Sequence, residues 1–342
     1  MGARRYDSSP VESARRVSAN ARLSPSGLQN RHNIRASDDT GGESAYRFPD
    51  APGSFDRAAR MIGICTDSNS QLPFELAERF GVEVVPLTVA IDDREYLEGV
   101  DLSTDDFYEL YRDGHRPTVR CNQPSPGQFA GAYDDLVARG CTEILSIHTG
   151  AQAGSTCSST LRAARLGAHS VPVPVRIVDS GTARFQISCC VWAAGAAIAG
   201  GASLDEAAAI AEGLAPSIGT VFMASGPGVV EMCRSGARRV HALESNGFRL
   251  VHEAEDVFDA ISSMAGYALH WNPAQRPEGC GPQLNVGVGW AHADTEPIAR
   301  AIAHSVGESA HVAELVTFRI GPSVGAETGP DAVSCVVFPA QA

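Results

Sequence analysis

The chain has 342 residues, of which 44% are hydrophobic and 20% are charged, an ordinary composition for a soluble globular protein. Its 40 acidic residues outnumber its 27 basic ones, and the formal net charge of −13 argues against nucleic acid as the main partner, because phosphate binding needs a basic face. The sequence contains no lysine, which excludes Schiff-base catalysis and any phosphate-binding loop that depends on its lysine.

Residues 1–59 differ in composition from the rest of the chain. They are rich in Ser, Arg, Asn, Gly and Pro and contain few large apolar side chains. Such a segment buries too little apolar surface to offset the conformational entropy lost on ordering. We therefore predict a disordered N-terminal tail over residues 1–59.

Strand and helix signals then alternate from Met61 to about residue 215. Buried strands are predicted at 61–66, 82–91, 143–148 and 173–178. Helices are predicted at 70–79, 105–112 and 125–139, from the loop after residue 148 to about residue 168, over the apolar run 187–202, and from residue 203. Capping boxes mark two of the helix starts, at Ser125 with Gln128 and at Ser203 with Glu206. This alternation predicts an α/β fold with a doubly wound parallel sheet and helices on both of its faces.

The pattern continues with fewer elements beyond residue 217. Strands are expected near 219–224, 248–252, 284–291, 312–320 and 334–339, with helices between them. We place a domain boundary near residue 217, which divides the folded part into an N-terminal α/β domain (60–217) and a second α/β domain (218–342).

Cysteine usage and the longest apolar run bear on the compartment. The nine cysteines form no CxxC pair, which is typical of buried free thiols in a reducing cytoplasm and predicts no metal site. The polar N-terminus lacks the apolar core of a secretory signal. The apolar run 187–202 is shorter than the roughly 20 residues that a membrane-spanning helix needs. We expect a cytoplasmic protein without a membrane-spanning segment.

Four polar loops follow predicted strands or open helices, at 66–70, 120–125, 148–155 and 179–182. Small hydroxyls, glycines and free amides at helix N-termini suit a carboxylate or a phosphate. The same residues also serve simply to cap helices. We expect Asp67, Ser68, Asp179 and Ser180 to orient their loops rather than to bind a metal.

The loop motifs, taken in order, resemble those of the DegV family of bacterial fatty-acid-binding proteins. The matching segments are TDSNSQLP (66–73), VVPLTV (84–89), NQPSPGQF (122–129), AGST (153–156), RIVDS (176–180) and GPSVGAETGP (321–330). Residues 235–240 look like a degraded copy of the family's Gly-Gly-Arg-Ile turn. The similarity extends over about 61–342, the whole of the predicted folded chain.

The resemblance implies two α/β domains with a long-chain fatty acid held between them. The acyl chain would lie in an apolar tunnel, lined by runs such as 187–198 and 221–224, and the carboxylate near the domain junction. Some members are the acyl-carrying subunit of a fatty acid kinase, whose separate ATP-binding subunit phosphorylates the carboxylate. The resemblance therefore implies a lipid carrier that is not itself an enzyme and needs no cofactor or metal.

By position, the resemblance places the carboxylate end of the ligand at residues of three loops: Arg120, Cys121, Asn122, Gln123, Thr149, Gly150, Gly154, Ser155, Glu327 and Thr328. Several depart from the family pattern. Cys121 and Asn122 stand where the family has two hydroxyls, and Glu327 stands where it often has histidine. A ligand carboxylate facing Glu327 would be repelled unless one of the two were protonated. Arg120 is a candidate for the compensating cation.

Two other hypotheses remain open at this point. In the first, Cys121 is a nucleophile and His148 its base, which would make the protein a small-molecule enzyme. In the second, the chain is a diverged scaffold that has lost its ligand.

Overall fold

The structure is a computed structural model and describes residues 60–150, 155–224, 238–244, 247–273 and 280–341. The predicted tail at 1–59 lies outside these residues. The strands are β1 (Ile62–Asp67), β2 (Glu83–Val85), β3 (Thr88–Ile91), β4 (Arg94–Leu97), β5 (Val119–Asn122), β6 (Glu143–His148), β7 (Val175–Asp179), β8 (Gly219–Met223), β9 (Arg238–Glu244), β10 (Gly247–Ala254), β11 (Cys280–Trp290), β12 (Val312–Arg319) and β13 (Val333–Gln341). The helices are α1 (Phe74–Phe80), α2 (Thr104–Glu109), α3 (Pro126–Ala138), α4 (Ser155–Ala168), α5 (Phe185–Ala199), α6 (Leu204–Gly213), α7 (Val257–Leu269), α8 (Glu296–Gly307) and α9 (Pro322–Thr328).

The first sheet is parallel, with strand order β2-β1-β6-β7. Successive side chains of a strand point to opposite faces. On β1, Cys65 packs with Phe129 and Tyr133 of α3, whereas Ile64 belongs to the cluster formed with α5 and α6. Helices cover both faces, so the predicted doubly wound arrangement is confirmed.

A small antiparallel sheet of order β4-β3-β5 was not anticipated. The single strand predicted over 82–91 is wrong, because the chain forms β2 and β3 there and each joins a different sheet. Pro86 separates the two strands, and its missing N–H interrupts a strand ladder. The helix predicted at 70–79 starts only at Phe74, since Ser68–Ser70 form a 3-10 turn instead.

Local capping signals located α3 and α6 correctly. The Ser125 hydroxyl accepts from the Gln128 N–H, and the Gln128 side chain accepts from the Ser125 N–H. Ser203 and Glu206 repeat this arrangement at α6. Each box satisfies N–H groups that the first turn of a helix leaves unpaired.

The third and largest of the described sheets has six strands in the order β10-β9-β8-β13-β11-β12. Strands β11 and β12 are parallel, and the other neighbours are antiparallel. All five strands expected in this half are present within a few residues, and β9 is an additional strand. Helices α7 and α8 pack on one face, and α5 packs on the other.

Helix α5 lies between the parallel sheet and the six-stranded sheet, and its side chains join the two into one core. The Trp192 ring meets Phe338 of β13 edge-on at 5.3 Å, while Ile187 packs in the same cluster as Ile64 of β1. A helix with apolar contacts on both sides needs no polar face, which accounts for the apolar run that follows Ser188 in this helix. Within the described ranges, no helix combines the length and apolar character that crossing a bilayer requires.

The described residues all fall in one compact unit. The chain passes from the parallel sheet to the six-stranded sheet between α6 and β8, close to residue 217. A division into two domains at residue 217 stays a prediction.

Candidate functional site

The carboxyl ends of β1, β6 and β7 meet at one edge of the parallel sheet. The Ser180 N–H donates to the His148 carbonyl at 3.1 Å, and the Gly150 N–H donates to the Thr182 carbonyl at 2.7 Å. Gly150 approaches the backbone so closely that an added Cβ would lie 2.6 Å from the Gly181 carbonyl carbon. The loops at 148–150 and 179–182 are therefore held together, and the His148 ring contacts the Asp67 carboxylate at 2.7 Å, which adds the loop at 66–70 to the same unit. This unit lies at the edge where open parallel sheets bind ligands.

Four polar side chains hold these loops in shape. The Asp67 carboxylate accepts from the Asn69 N–H at 3.1 Å, and Asp179 accepts from the Gly181 N–H at 3.0 Å. The Ser68 hydroxyl accepts from the Leu87 N–H at 3.0 Å, and the Ser180 hydroxyl accepts from the Thr182 N–H at 3.3 Å. Each of these hydrogen bonds ties a side chain to the backbone of its own loop or of a neighbouring segment, and the loop-orienting role of the four residues stays a prediction. Across the described residues, no group of at least three His, Cys, Asp or Glu is placed to hold a metal ion.

Helix α9 is tied to the loop after β1 by buried polar groups. The Ser323 N–H donates to the Glu98 carboxylate at 2.8 Å, and the Ser68 hydroxyl donates to the same carboxylate. Gln71 accepts from the Gly321 N–H and donates to the Ser323 hydroxyl. Burial raises the pKa of Glu98, while its hydrogen bonds to Ser68 and Ser323 oppose that rise. This junction fixes the C-terminal helix beside the strand ends of the parallel sheet.

An apolar cavity lies between α5 and the six-stranded sheet. It encloses about 820 Å³ of empty space, a figure that includes open solvent at its mouth. Most of its wall surface is aromatic and aliphatic, with Phe185, Phe222, Met223, Phe248, Phe318 and Val336 among the lining residues. Its polar lining residues are Gln71, Arg184, Gln186, Thr220, Glu327, Thr328 and Ser334.

A second, polar cavity adjoins the loops at the strand ends. It encloses about 960 Å³ including its opening, and its polar lining comprises Asn69, Cys121, Gln123, Thr149 and Ser323. The two cavities share three lining residues, namely Ala183, Arg184 and Glu327. Arg184 and Glu327 form an ion pair at this junction. The arrangement suits an amphipathic ligand with one apolar end and one polar end.

The residues predicted for the carboxylate end take different positions. Cys121, Gln123, Thr149 and Glu327 line the polar cavity, and Thr328 lines the apolar cavity. Arg120 and Asn122 alternate with Cys121 along β5, are exposed, and line neither cavity. Gly150 is buried against Gly181. Gly154 lies outside the described residues, as do the side chain of Ser155 and residues 235–237 of the degraded turn.

Cys121 and His148 do not form the pair that the enzyme hypothesis requires. The Nδ1 atom of His148 donates to Asp67 at 2.7 Å, and its Nε2 atom lies 2.7 Å from the Ser146 hydroxyl. Both ring nitrogens are therefore engaged, and the imidazole is fully buried. Burial, together with the carboxylates of Glu98 and Glu327, raises the pKa of Cys121 to about 12. A thiol held in its protonated form is a poor nucleophile.

Sequence reasoning missed Arg184, Glu98 and Gln71. Arg184 had one local signal, since it is a charged residue directly before the 15-residue apolar helix α5. Its backbone has φ 59° and ψ −144°, a region that residues other than glycine rarely adopt. Glu98 had no such signal, because its partner Ser323 is 225 positions away in the sequence.

The fold is α/β, and the polar cavity beside the strand ends of its parallel sheet shares wall residues with the apolar cavity. The family model described as "Uncharacterised protein, DegV family" matches residues 61–236. A DegV domain-containing protein of Streptomyces coelicolor is 30% identical over 293 residues, which are 82% of this chain and 99% of that protein. The chain therefore belongs to the DegV family.

Solved structures share this fold. A structure described as the fatty acid binding of a DegV family protein from Thermus thermophilus superposes with a TM-score of 0.67 at 22% identity, covering 82% of this chain and 99% of that one. A stearic acid-binding protein from Eubacterium ventriosum gives a TM-score of 0.65 at 18% identity, covering 82% and 98% respectively. At these identities the likeness confirms the α/β fold.

Proposed function

We propose that this protein binds a long-chain fatty acid, with the acyl chain in the apolar cavity and the carboxylate at the polar cavity. The observation that carries the proposal is that a mainly apolar cavity shares wall residues with a cavity that has several hydrogen-bonding side chains in its lining. Each methylene removed from water contributes about 0.8 kcal/mol, so the apolar cavity supplies most of the affinity. The polar cavity supplies orientation and headgroup selectivity.

The relatives add independent support for this ligand class. Two of the solved structures with this fold are described by fatty acid binding or stearic acid binding. The polar cavity of this chain includes Gln123, whose amide group can donate hydrogen bonds to a carboxylate, and Thr149, whose hydroxyl donates to the Thr182 carbonyl at 3.2 Å and keeps its oxygen as an acceptor.

The finer proposal concerns what happens to the bound acid. We infer that the protein is a non-enzymatic cytoplasmic carrier, which presents the carboxylate to a separate ATP-binding kinase subunit for conversion to an acyl phosphate. Two features support this role. The polar cavity is open to solvent at its mouth, and a chain without lysine has no phosphate-binding loop of the type that depends on that residue.

Native mass spectrometry of the purified full chain, followed by organic extraction, tests the binding proposal. The expected result is one fatty acid per chain, either copurified or taken up from added palmitate or oleate. A protein that carries no fatty acid and takes up neither would refute the carrier function and favour a diverged scaffold.

The kinase proposal needs a separate test. The loaded protein is incubated with ATP and a bacterial fatty acid kinase subunit that acts on carriers of this family, and the products are trapped with hydroxylamine. Acyl hydroxamate formed only when carrier, kinase subunit and ATP are all present is the expected outcome. A loaded carrier that yields none, beside a family carrier that does, would contradict presentation to such a kinase.

A further inference from the structure

Arg184 and Glu327 hold a special position among the residues that line the two cavities. Both line the apolar cavity and the polar cavity, and their side chains pair at the junction. Among the described lining residues, Arg184 is the sole cation and Glu327 the sole carboxylate. Their side chains are 35% and 59% exposed, so a ligand can reach both groups.

Resting on the proposed function, we propose that Arg184 binds the carboxylate of the fatty acid and that Glu327 competes with the ligand for it. A fatty acid whose chain fills the apolar cavity brings its carboxylate to the junction, where Arg184 lies. A guanidinium binds a carboxylate through paired, charge-assisted hydrogen bonds. Glu327 is itself a carboxylate on the same guanidinium, and therefore acts as an internal substitute for the ligand headgroup.

The surrounding structure holds Arg184 in place for this role. Its backbone N–H donates to the Asn69 side-chain oxygen at 3.3 Å, which links it to the loop after β1. The next residue, Phe185, is buried and stacks on Phe318 with ring centroids 3.8 Å apart. Contacts on both sides thus maintain a backbone conformation that an arginine rarely adopts. Such conformations persist where the surroundings over-determine them, and they cluster at ligand sites.

The electrostatics of the polar cavity make a cation necessary for an acidic ligand. Burial is the main cause of the raised pKa of Cys121, and the carboxylates of Glu98 and Glu327 raise it further, which places two negative charges near the cavity wall. A ligand carboxylate entering there is repelled by the same two groups. Arg184 offsets this repulsion for a fatty acid, whereas a neutral fatty alcohol neither needs the cation nor displaces Glu327 from it.

This reasoning predicts a selectivity that can be measured. Binding of oleic acid and of oleyl alcohol, which share the same chain, is compared by titration for the wild type, Arg184→Gln and Glu327→Gln. We expect Arg184→Gln to weaken oleic acid binding about tenfold, the effect of one lost charge-assisted contact, and to leave oleyl alcohol unchanged. Glu327→Gln should tighten oleic acid binding several-fold, again without an effect on the alcohol.

Two further variants separate a headgroup role from a structural one. Arg184→Lys keeps the charge and should recover part of the acid affinity. Arg176→Gln is the control: it removes an arginine of similar exposure that pairs with Glu212 and lines neither cavity. This variant should bind oleic acid and oleyl alcohol with the affinities of the wild type. If Arg184→Gln binds oleic acid as the wild type does, or weakens acid and alcohol equally, the role of Arg184 is refuted while fatty acid binding stands. If the wild type binds neither ligand, the proposed function fails as well.

Discussion

Gly287 on β11 lies directly against the ring of Phe185, and Phe185 lines the apolar cavity. A Cβ added at Gly287 would lie 2.2 Å from the Phe185 ring, far inside van der Waals contact. The Phe185 ring stacks on Phe318, both rings line the cavity, and each is only 4% exposed. The Gly287→Ala change therefore forces Phe185 to move, and the cavity is the open space beside it.

The size of the effect follows from this crowding. Inserting one carbon into a well-packed core costs about 1–3 kcal/mol, and a 2.2 Å contact with a stacked ring belongs at the upper end of that range. Since the displaced ring enters the cavity, fatty acid capacity should fall together with stability. Urea denaturation measures the loss of stability, and titration with palmitate measures the loss of fatty acid binding.

Matched variants isolate the cause. Gly131 is exposed in α3 with nothing within 4 Å of its added Cβ, so Gly131→Ala should stabilise the protein by about 0.5–1 kcal/mol. Combining Gly287→Ala with Phe185→Leu should recover part of the loss, because the smaller side chain leaves room for the methyl group. A Gly287→Ala protein as stable as the wild type, with undiminished palmitate binding, would refute the proposed packing between sheet and helix.

Three further predictions concern buried polar groups. Replacing His148 with Ala leaves the Asp67 carboxylate buried without its partner and should cost about 3–5 kcal/mol in urea denaturation; a loss below 1 kcal/mol would argue against the buried pair. Burial raises the pKa of Glu98 in the folded state above its value in the unfolded state. The contribution of Glu98 to the free energy of unfolding is therefore fully present below the unfolded pKa, and it is lost as pH rises through the folded pKa. Relative to Glu98→Gln, the wild type should therefore gain stability as pH is lowered from 7 toward 4.5, and a pH-independent difference between the two would contradict this. Finally, with a pKa raised to about 12, Cys121 should react with iodoacetamide at pH 8 far more slowly in the folded protein than after denaturation, as peptide mapping can show; equal rates would mean that the thiol is not held protonated.

Much of the fold was predictable because its signals are local. Strands β1 and β6 lie inside the parallel sheet and are almost entirely buried, so they read as mainly apolar segments, and β7 at the sheet edge keeps apolar residues on either side of the exposed Arg176. The capping boxes of α3 and α6 lie within four consecutive residues, so the sequence shows them directly. The loop motifs were enough to indicate the DegV family, and the topology of parallel strands implies that such loops meet at one sheet edge.

The site itself depended on contacts that no local pattern encodes. Arg184 and Glu327 are 143 positions apart, and they meet because Glu98 and Gln71 anchor α9 beside the strand ends. Arg120 lies next to the predicted loop, yet the alternation of side chains along β5 turns it away from the cavity that Cys121 lines. Sequence alone determined most of the elements and indicated the family, because helix caps and apolar periodicity act over a few residues. Only the tertiary structure decided which charged groups reach the ligand cavity, because that depends on how α5, α9 and the two sheets pack together.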